Sequence, residues 1–140
     1  MFRKILLAYD GSNGAKRALA QAITLARANG AELWALAVEE HLPHFAGTVD
    51  EVLEEKEFAD RYYGERLEEA RERAAQAGVE LKTALRPGHP ARTIVDFARA
   101  GDFDLVVLGH SGHSEVWAMF LGTTAEKVSR HAPCSVLIVR

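Results

Sequence analysis

Residues 105–112 read Leu-Val-Val-Leu-Gly-His-Ser-Gly, and Gly-Thr-Thr follows at residues 122–124 after nine intervening positions. The apolar run predicts a buried strand, and the segment from Thr123 onward predicts a helix. Glycines let backbone N–H groups approach a ligand without an intervening Cβ atom, and a helix N-terminus favours an anion. The stretch therefore predicts an α/β fold with a phosphate site, the alternative being that the glycines only shape the loop.

Apolar, β-rich runs alternate with helical segments along the rest of the chain. Strands are predicted at residues 2–9, 32–38, 79–85, 105–108 and 134–139. Helices are predicted at residues 12–29, 50–77, 91–100 and 123–131, with Gly30 and Gly78 ending the first two. This alternation predicts an open, five-stranded parallel sheet with helices on both faces. Two strand orders are compatible with it, 3-2-1-4-5 and the flavodoxin-like 2-1-3-4-5.

The composition is that of one ordinary globular domain, which we expect to span residues 1–140. Hydrophobic residues make up 48% of the chain and charged residues 26%, enough for a real core. A formal net charge of -3 offers no basic surface to nucleic acid or to a membrane, so a small soluble ligand is expected. No apolar run approaches the ~20 residues of a membrane span and no signal peptide is recognisable, which predicts a cytoplasmic protein.

Cysteine and histidine residues give no indication of a metal centre. Cys134 is the single cysteine and is predicted to be a small buried hydrophobe in the last strand. Pairs of these residues three positions apart occur at His41 and His44, His110 and His113, and His131 and Cys134. No fixed carboxylate joins any pair, so we predict no metal-binding residues.

A second candidate site follows the first predicted strand, at Asp10, Gly11 and Ser12. Asp10 can accept a hydrogen bond from a ribose hydroxyl or an adenine amino group, and Ser12 can cap the following helix. The alternative makes Asp10 a turn residue. With strand order 3-2-1-4-5, Asp10 and the glycine loop face one crevice at the carboxyl ends of the strands; with order 2-1-3-4-5 they are separated. Neither a P-loop nor a dinucleotide fingerprint is present.

These residues resemble the universal stress protein family over essentially the whole chain. ATP-binding members of that family carry Gly, two residues, Gly, nine residues, Gly and then Ser or Thr, a spacing matched by Gly109, Gly112, Gly122 and Thr123. Residues 2–12, 88–91, 104–109 and 132–139 strengthen the resemblance. The resemblance implies strand order 3-2-1-4-5 and an adenine nucleotide in the crevice.

The resemblance also implies roles for individual residues. Asp10 would contact the adenosine part, Val38 would line the base pocket, and the glycine loop would surround the ribose and phosphates. The predicted nucleotide-binding set is Asp10, Gly11, Ser12, Val38, Gly109, His110, Ser111, Gly112, His113, Gly122, Thr123 and Thr124. A homodimer is implied as well, formed through the last strand from Val136 to Val139, whose apolar edge would otherwise be exposed.

The loop at residues 113–121 departs from the family pattern. Many ATP-binding relatives carry a lysine or arginine there, whereas this loop has neither and includes Glu115. ATP is the expected ligand, with AMP or ADP as alternatives and Mg²⁺ as a further partner of the phosphates.

Because no catalytic triad is recognisable, we predict a regulatory binding protein. The alternatives are a slow ATPase or nucleotidyl-transferring enzyme, and a protein-interaction module that binds no nucleotide.

Overall fold

A computed structural model describes residues 1–40, 48–111 and 121–140. The strands in these ranges are β1 (Lys4–Ala8), β2 (Glu32–Glu39), β3 (Leu81–Pro87), β4 (Leu105–Gly109) and β5 (Ser135–Val139). The helices are α1 (Asn13–Asn29), α2 (Val49–Gln76), α3 (Pro90–Ala100) and α4 (Thr123–His131). Each of these elements was predicted from the sequence, with ends that differ by at most two residues.

The strands form one parallel sheet in the order β3-β2-β1-β4-β5. β1 lies in the middle, with Leu6 opposite Trp34 of β2 on one side and opposite Val106 of β4 on the other. This arrangement confirms order 3-2-1-4-5 and excludes the flavodoxin-like order. The direction of winding reverses between β1 and β4, so the loops that follow these two strands diverge and leave a crevice.

Helices cover both faces of the sheet, as predicted. Side chains alternate between the faces along each strand, so Leu7 and Leu33 pack on one side while Leu6 and Leu36 pack on the other. The first side is covered by the alanine-rich face of α1 and by the second half of α2, with buried residues that include Ala18, Ala22, Leu67 and Ala70. The second side is covered by α3 and α4, with buried residues that include Ile94 and Val128.

Hydrogen bonds explain why β1 and β3 begin two residues later than predicted. The carboxylate of Asp104 accepts the backbone N–H groups of Arg3 at 2.8 Å and of Lys4 at 3.1 Å, so regular strand pairing of β1 starts at Lys4. The N–H of Val79 donates to the carbonyl of Ala74 and completes the end of α2, which moves the start of β3 to Leu81. Side-chain and helix-end hydrogen bonds of this kind leave no periodic trace in the sequence.

Cys134 lies just before β5 and is half-buried, so the prediction of a buried cysteine inside the last strand is wrong. The physical reason is its position at the amino end of an edge strand, where packing covers only part of the side chain. Cys134 still contacts the core under α3 and α4. Within the described ranges, none of the helices has the length and apolar character required to cross a bilayer.

Candidate functional site

A cavity of about 280 Å³ opens at the carboxyl edge of the sheet, where the loops after β1 and β4 diverge. Its walls come from the ends of β1, β2 and β4 and from the first turns of α3 and α4. The predicted site residues that line it are Asp10, Ser12, Val38, Gly109, His110, Ser111, Gly122, Thr123 and Thr124. Gly11 does not line it, and Gly112 and His113 lie outside the described residues.

The turn after β1 is built by hydrogen bonds of Asp10 and Ser12. The N–H of Ser12 donates to Oδ1 of Asp10 at 2.9 Å, and Oγ of Ser12 accepts the N–H of Ala15 at 3.2 Å. Ser12 is therefore the N-cap of α1, as predicted. Asp10 is a turn residue as well as part of the cavity wall, so the two roles weighed for it are compatible.

Gly11 supports the turn from outside the cavity. Its backbone φ of +82° lies in the left-handed region, and a Cβ atom at this position would come within 2.8 Å of Cδ of Arg66. Arg66, on α2, pairs with Glu69 at 2.8 Å, and its guanidinium lies 5.0 Å from the ring centroid of Tyr62. Gly11 thus positions the turn against α2, whereas the sequence analysis placed it among the ligand contacts.

The first turn of α1 fits closely into the loop after β4. A Cβ atom at Gly14 would lie 2.5 Å from the backbone oxygen of Ser111, and one at Gly109 would lie 3.0 Å from the backbone of Gly14. Gly109 is therefore required by packing as well as by its place in the cavity wall. Sequence reasoning missed Gly14, although a glycine inside a predicted helix costs ~1 kcal/mol and indicates a packing or functional reason.

The N-terminus of α4 forms the floor of the cavity at Gly122, Thr123, Thr124 and Ala125. Gly122 is the N-cap, and its N–H donates to the carbonyl of His110 at 2.8 Å. The N–H of His110 in turn donates to the carbonyl of Val139 at 2.7 Å, which ties the loop to β5. Because the first N–H groups of a helix have no partner within the helix, this end of α4 can bind an anion.

The lining of the cavity contains both apolar and acidic residues. Leu36, Val38 and Ile94 give the apolar wall, and Asp10 and Glu40 are the acidic residues of the lining. The described lining contains the imidazole of His110 but no lysine or arginine. Residues 105–126, which span the whole glycine motif, also lack both residue types. A bound phosphate would therefore depend on backbone N–H groups and hydroxyls.

Sequence reasoning also missed the groups of α2 that lie behind the cavity. Burial raises the pKa of Tyr63, and the charge of Asp10 adds to this rise, so the phenol and the carboxylate are close enough to interact. Glu39, between the lining residues Val38 and Glu40, is a buried acid at the end of β2. A glutamate directly after a long apolar strand was the available signal for it.

A parallel sheet with a cavity at its topological switch point is the open, doubly wound α/β architecture, in which ligands generally bind at that crevice. The model of the universal stress protein family matches residues 1–140. "Universal stress protein in QAH/OAS sulfhydrylase 3'region" of Thermus aquaticus is 40% identical over the full length of both chains. The chain belongs to the universal stress protein family.

Two solved structures place the fold in the same family. Universal stress protein UspA from Lactobacillus plantarum is 30% identical, with a TM-score of 0.89 over 99% of this chain and 98% of that one. A universal stress protein solved in complex with cAMP is 26% identical, with a TM-score of 0.77 over 99% of this chain and 97% of that one. Both similarities extend over essentially the whole sheet and its helices.

Proposed function

We propose that this protein binds an adenine nucleotide in the cavity between β1 and β4 and acts as a nucleotide-responsive regulatory protein of the cytoplasm. The observation that carries the proposal is that Asp10, the apolar wall at Val38 and the N-terminus of α4 line one cavity. Membership of the family supports it, as does the complex of a 26% identical structural relative with cAMP.

In this proposal each part of the nucleotide contacts lining residues of complementary chemistry. The adenine ring packs on the apolar side formed by Leu36, Val38 and Ile94. The ribose hydroxyls donate to the carboxylate of Asp10, and the phosphate accepts hydrogen bonds from the first N–H groups of α4. The hydroxyls of Thr123 and Thr124 complete the phosphate end.

The negative charge of the lining disfavours nucleotides that carry several phosphate groups. Asp10 and Glu40 repel additional negative charge, and the described lining offers no lysine or arginine to offset it. The volume of about 280 Å³ is just below the ~300–1,000 Å³ that is usual for a ligand pocket. We therefore expect AMP and cAMP to bind more tightly than ATP without metal, and Mg²⁺ to increase the affinity for ATP by neutralising part of its charge.

Calorimetric titration with AMP, cAMP, ADP and ATP, with and without Mg²⁺, tests this proposal. Gly122→Val should lower the affinity for AMP about tenfold or more, because a β-branched side chain crowds the phosphate end at the helix start. Gly64→Val is the matched control, since a Cβ atom at this exposed position on α2 meets nothing within 4 Å. Failure of all four nucleotides to bind the folded protein, or equal AMP affinity in both variants, would overturn the assignment.

A homodimer through β5 is the second part of the proposal. In the described sheet β5 has β4 on one side, and its residues from Val136 to Val139 are only half-buried, whereas the interior strand β4 is buried up to Leu108. An apolar edge strand is a template for pairing with another strand. Pairing of two β5 strands would place two nucleotide sites in one assembly, each tied to the interface by the bond from His110 to Val139.

A further inference from the structure

Glu39, the last residue of β2, holds a carboxylic acid inside the protein. Its side chain is 3% exposed, and its Oε1 atom has no hydrogen-bond partner among the residues that the structure describes. A buried carboxylate with an unpartnered oxygen is costly, whereas a protonated carboxyl carries no charge and donates a hydrogen bond. The position of Glu39 therefore favours a bound proton.

The groups that face Glu39 come mainly from the first half of α2. Asp60 is within hydrogen-bonding range of Glu39, and Lys56 lies one turn earlier, with its Nζ 3.9 Å from Oδ2 of Asp60. Burial raises the pKa of Glu39 to about 7, the hydrogen bond and the charge of Asp60 add to the rise, and the charge of Lys56 opposes it. The side chain of Asp60 is 47% exposed and is placed to accept a hydrogen bond from a protonated Glu39.

Neighbouring strands contribute little positive charge to this cluster. Arg86 of β3, in register beside Val38, has its guanidinium 5.5 Å from the ring centroid of Phe97 on the α3 side. Burial raises the pKa of Tyr63, and the negative charges of Asp10, Glu39 and Glu40 add to the rise. Among the described residues, no group of three or more His, Cys, Asp or Glu side chains is arranged to hold a metal ion.

One face of α2 connects Glu39 to the cavity. Asp60, Tyr63 and Leu67 follow one another at helical spacing, and Leu67 is anchored in the core. Along this face Asp60 contacts Glu39, Tyr63 interacts with the charge of Asp10, and Arg66 packs on Gly11. A shift of the first half of α2 would therefore change the surroundings of both Glu39 and Asp10.

We propose that Glu39 and Asp60 share one proton at neutral pH and that loss of this proton weakens nucleotide binding in the adjoining cavity. The inference rests on the proposed function for its ligand. Loss of the proton leaves the buried carboxylate of Glu39 beside the partly exposed carboxylate of Asp60, and the two repel each other. It also adds negative charge between Val38 and Glu40 of the lining, and both effects disfavour an anionic ligand.

The shared proton is tested first in the ligand-free protein, by a ¹³C NMR titration of the Glu39 carboxyl carbon, assigned by its absence in Glu39→Gln. We expect a midpoint near neutral pH, a lower midpoint in Asp60→Asn and a higher one in Lys56→Gln, because these variants remove charges of opposite sign. A wild-type midpoint at the ordinary glutamate value of 4.5 would overturn the shared proton. So would equal midpoints in the two charge variants.

The effect of the Glu39 proton on nucleotide binding is tested with cAMP as the probe. A phosphomonoester such as AMP loses a second proton with a pKa of about 6, whereas the phosphodiester of cAMP does not, so the charge of the probe stays constant. From pH 6 to pH 8 the affinity of the wild type should fall about fivefold or more, a coupling of ordinary size. Glu39→Gln, which keeps a neutral donor toward Asp60, should show a flat profile. The same slope in both proteins assigns the effect to a group other than Glu39 and overturns the regulation.

The two experiments separate the two proposals. Absence of cAMP binding at every pH would overturn the binding of this nucleotide and, with it, the regulation, while the NMR titration would still decide whether the proton is shared. Binding with a flat wild-type profile would overturn the regulation alone.

Discussion

Gly11 and Gly14 lack a side chain for different reasons, although both belong to the turn after β1. Gly11 has a φ of +82°, which disfavours any residue with a Cβ atom, and it also makes room for Arg66. Gly14 lies in the first turn of α1, and its restriction comes from the backbone oxygen of Ser111 at 2.5 Å from a Cβ atom. A side chain at Gly14 is therefore excluded by the close contact between α1 and the loop after β4.

Gly14→Ala should consequently destabilise the protein by about 1–3 kcal/mol, because the new methyl group displaces the loop at Ser111. The same displacement should weaken nucleotide binding. The matched control is Gly64→Ala, also in a helix but with open space around the Cβ position. There the better helix propensity of alanine should stabilise the protein by about 0.5–1 kcal/mol.

Urea unfolding of the two variants measures both effects. The opposite signs distinguish a close backbone contact from a general response of helices to alanine. Equal stabilisation by the two substitutions would show that α1 does not approach the loop as closely as the structure has it.

At the scale of single residues, the sequence predicted which side chains gather at the cavity but not why each glycine is there. Asp10 and the start of α4 could be predicted because strand ends and helix starts are visible in the sequence, whereas the place of Val38 was implied by the family resemblance. Gly14 and Glu39 could not, because their roles depend on contacts with the backbone at Ser111 and with Asp60 on another element.

Among the elements, β5 differs from the other strands in having an apolar edge. The carbonyl of Val139 accepts a hydrogen bond from His110, so the polar backbone groups of Val139 point toward the β4 side. In an extended strand these groups alternate in direction from residue to residue. Those of Val136 and Ile138 therefore point outward, where a second copy of β5 would pair.

Ile138→Pro should convert the proposed dimer into a monomer, because proline removes an outward N–H donor without removing a bond to β4. Ile138→Thr is the control, since it changes the side chain but keeps the N–H group and a β-branched shape. Light scattering should give a dimer mass for wild type and Ile138→Thr. A monomer mass for the wild type, or a dimer mass for folded Ile138→Pro, contradicts pairing through β5.

Element types could be predicted from the sequence because each segment is long or strongly apolar, whereas the strand order depended on the family resemblance. Apolar runs alone are equally compatible with order 2-1-3-4-5. The difference matters for function, because only the observed order places the loop after β4 beside Asp10.

At the scale of the whole molecule, β2 carries two acids with opposite effects on stability as the pH changes. Glu32 lies at its amino end, where a hydrogen bond from Lys82 is the main cause of its lowered pKa. Glu39 lies at its carboxyl end, where burial raises the pKa to about 7. Glu32 therefore stabilises the folded state above its unfolded pKa and loses this contribution in acid.

The contribution of Glu39 to folding stability changes with pH in the opposite direction. Its folded pKa of about 7 exceeds the ordinary value of 4.5, so its contribution is complete below 4.5 and is lost as the pH rises through about 7. Between these values the wild type should lose roughly 1–3 kcal/mol of unfolding free energy. Glu39→Gln, neutral throughout, should lack this loss and be more stable than the wild type at pH 8.

Urea unfolding of ligand-free protein between pH 5 and pH 8 measures this difference, and comparing the two proteins at each pH cancels the contributions of the other acids and histidines. The loss of stability in acid that we assign to Glu32 and Lys82 falls below pH 4.5, so unfolding measured there should show the same loss in Glu39→Gln, because that pair lies at the other end of the strand. If the difference between wild type and Glu39→Gln stays constant with pH, Glu39 is already ionised in the folded protein at pH 5. In that case the interface between β2 and α2 must hold a charged carboxylate, and the stability maximum would be set by groups elsewhere.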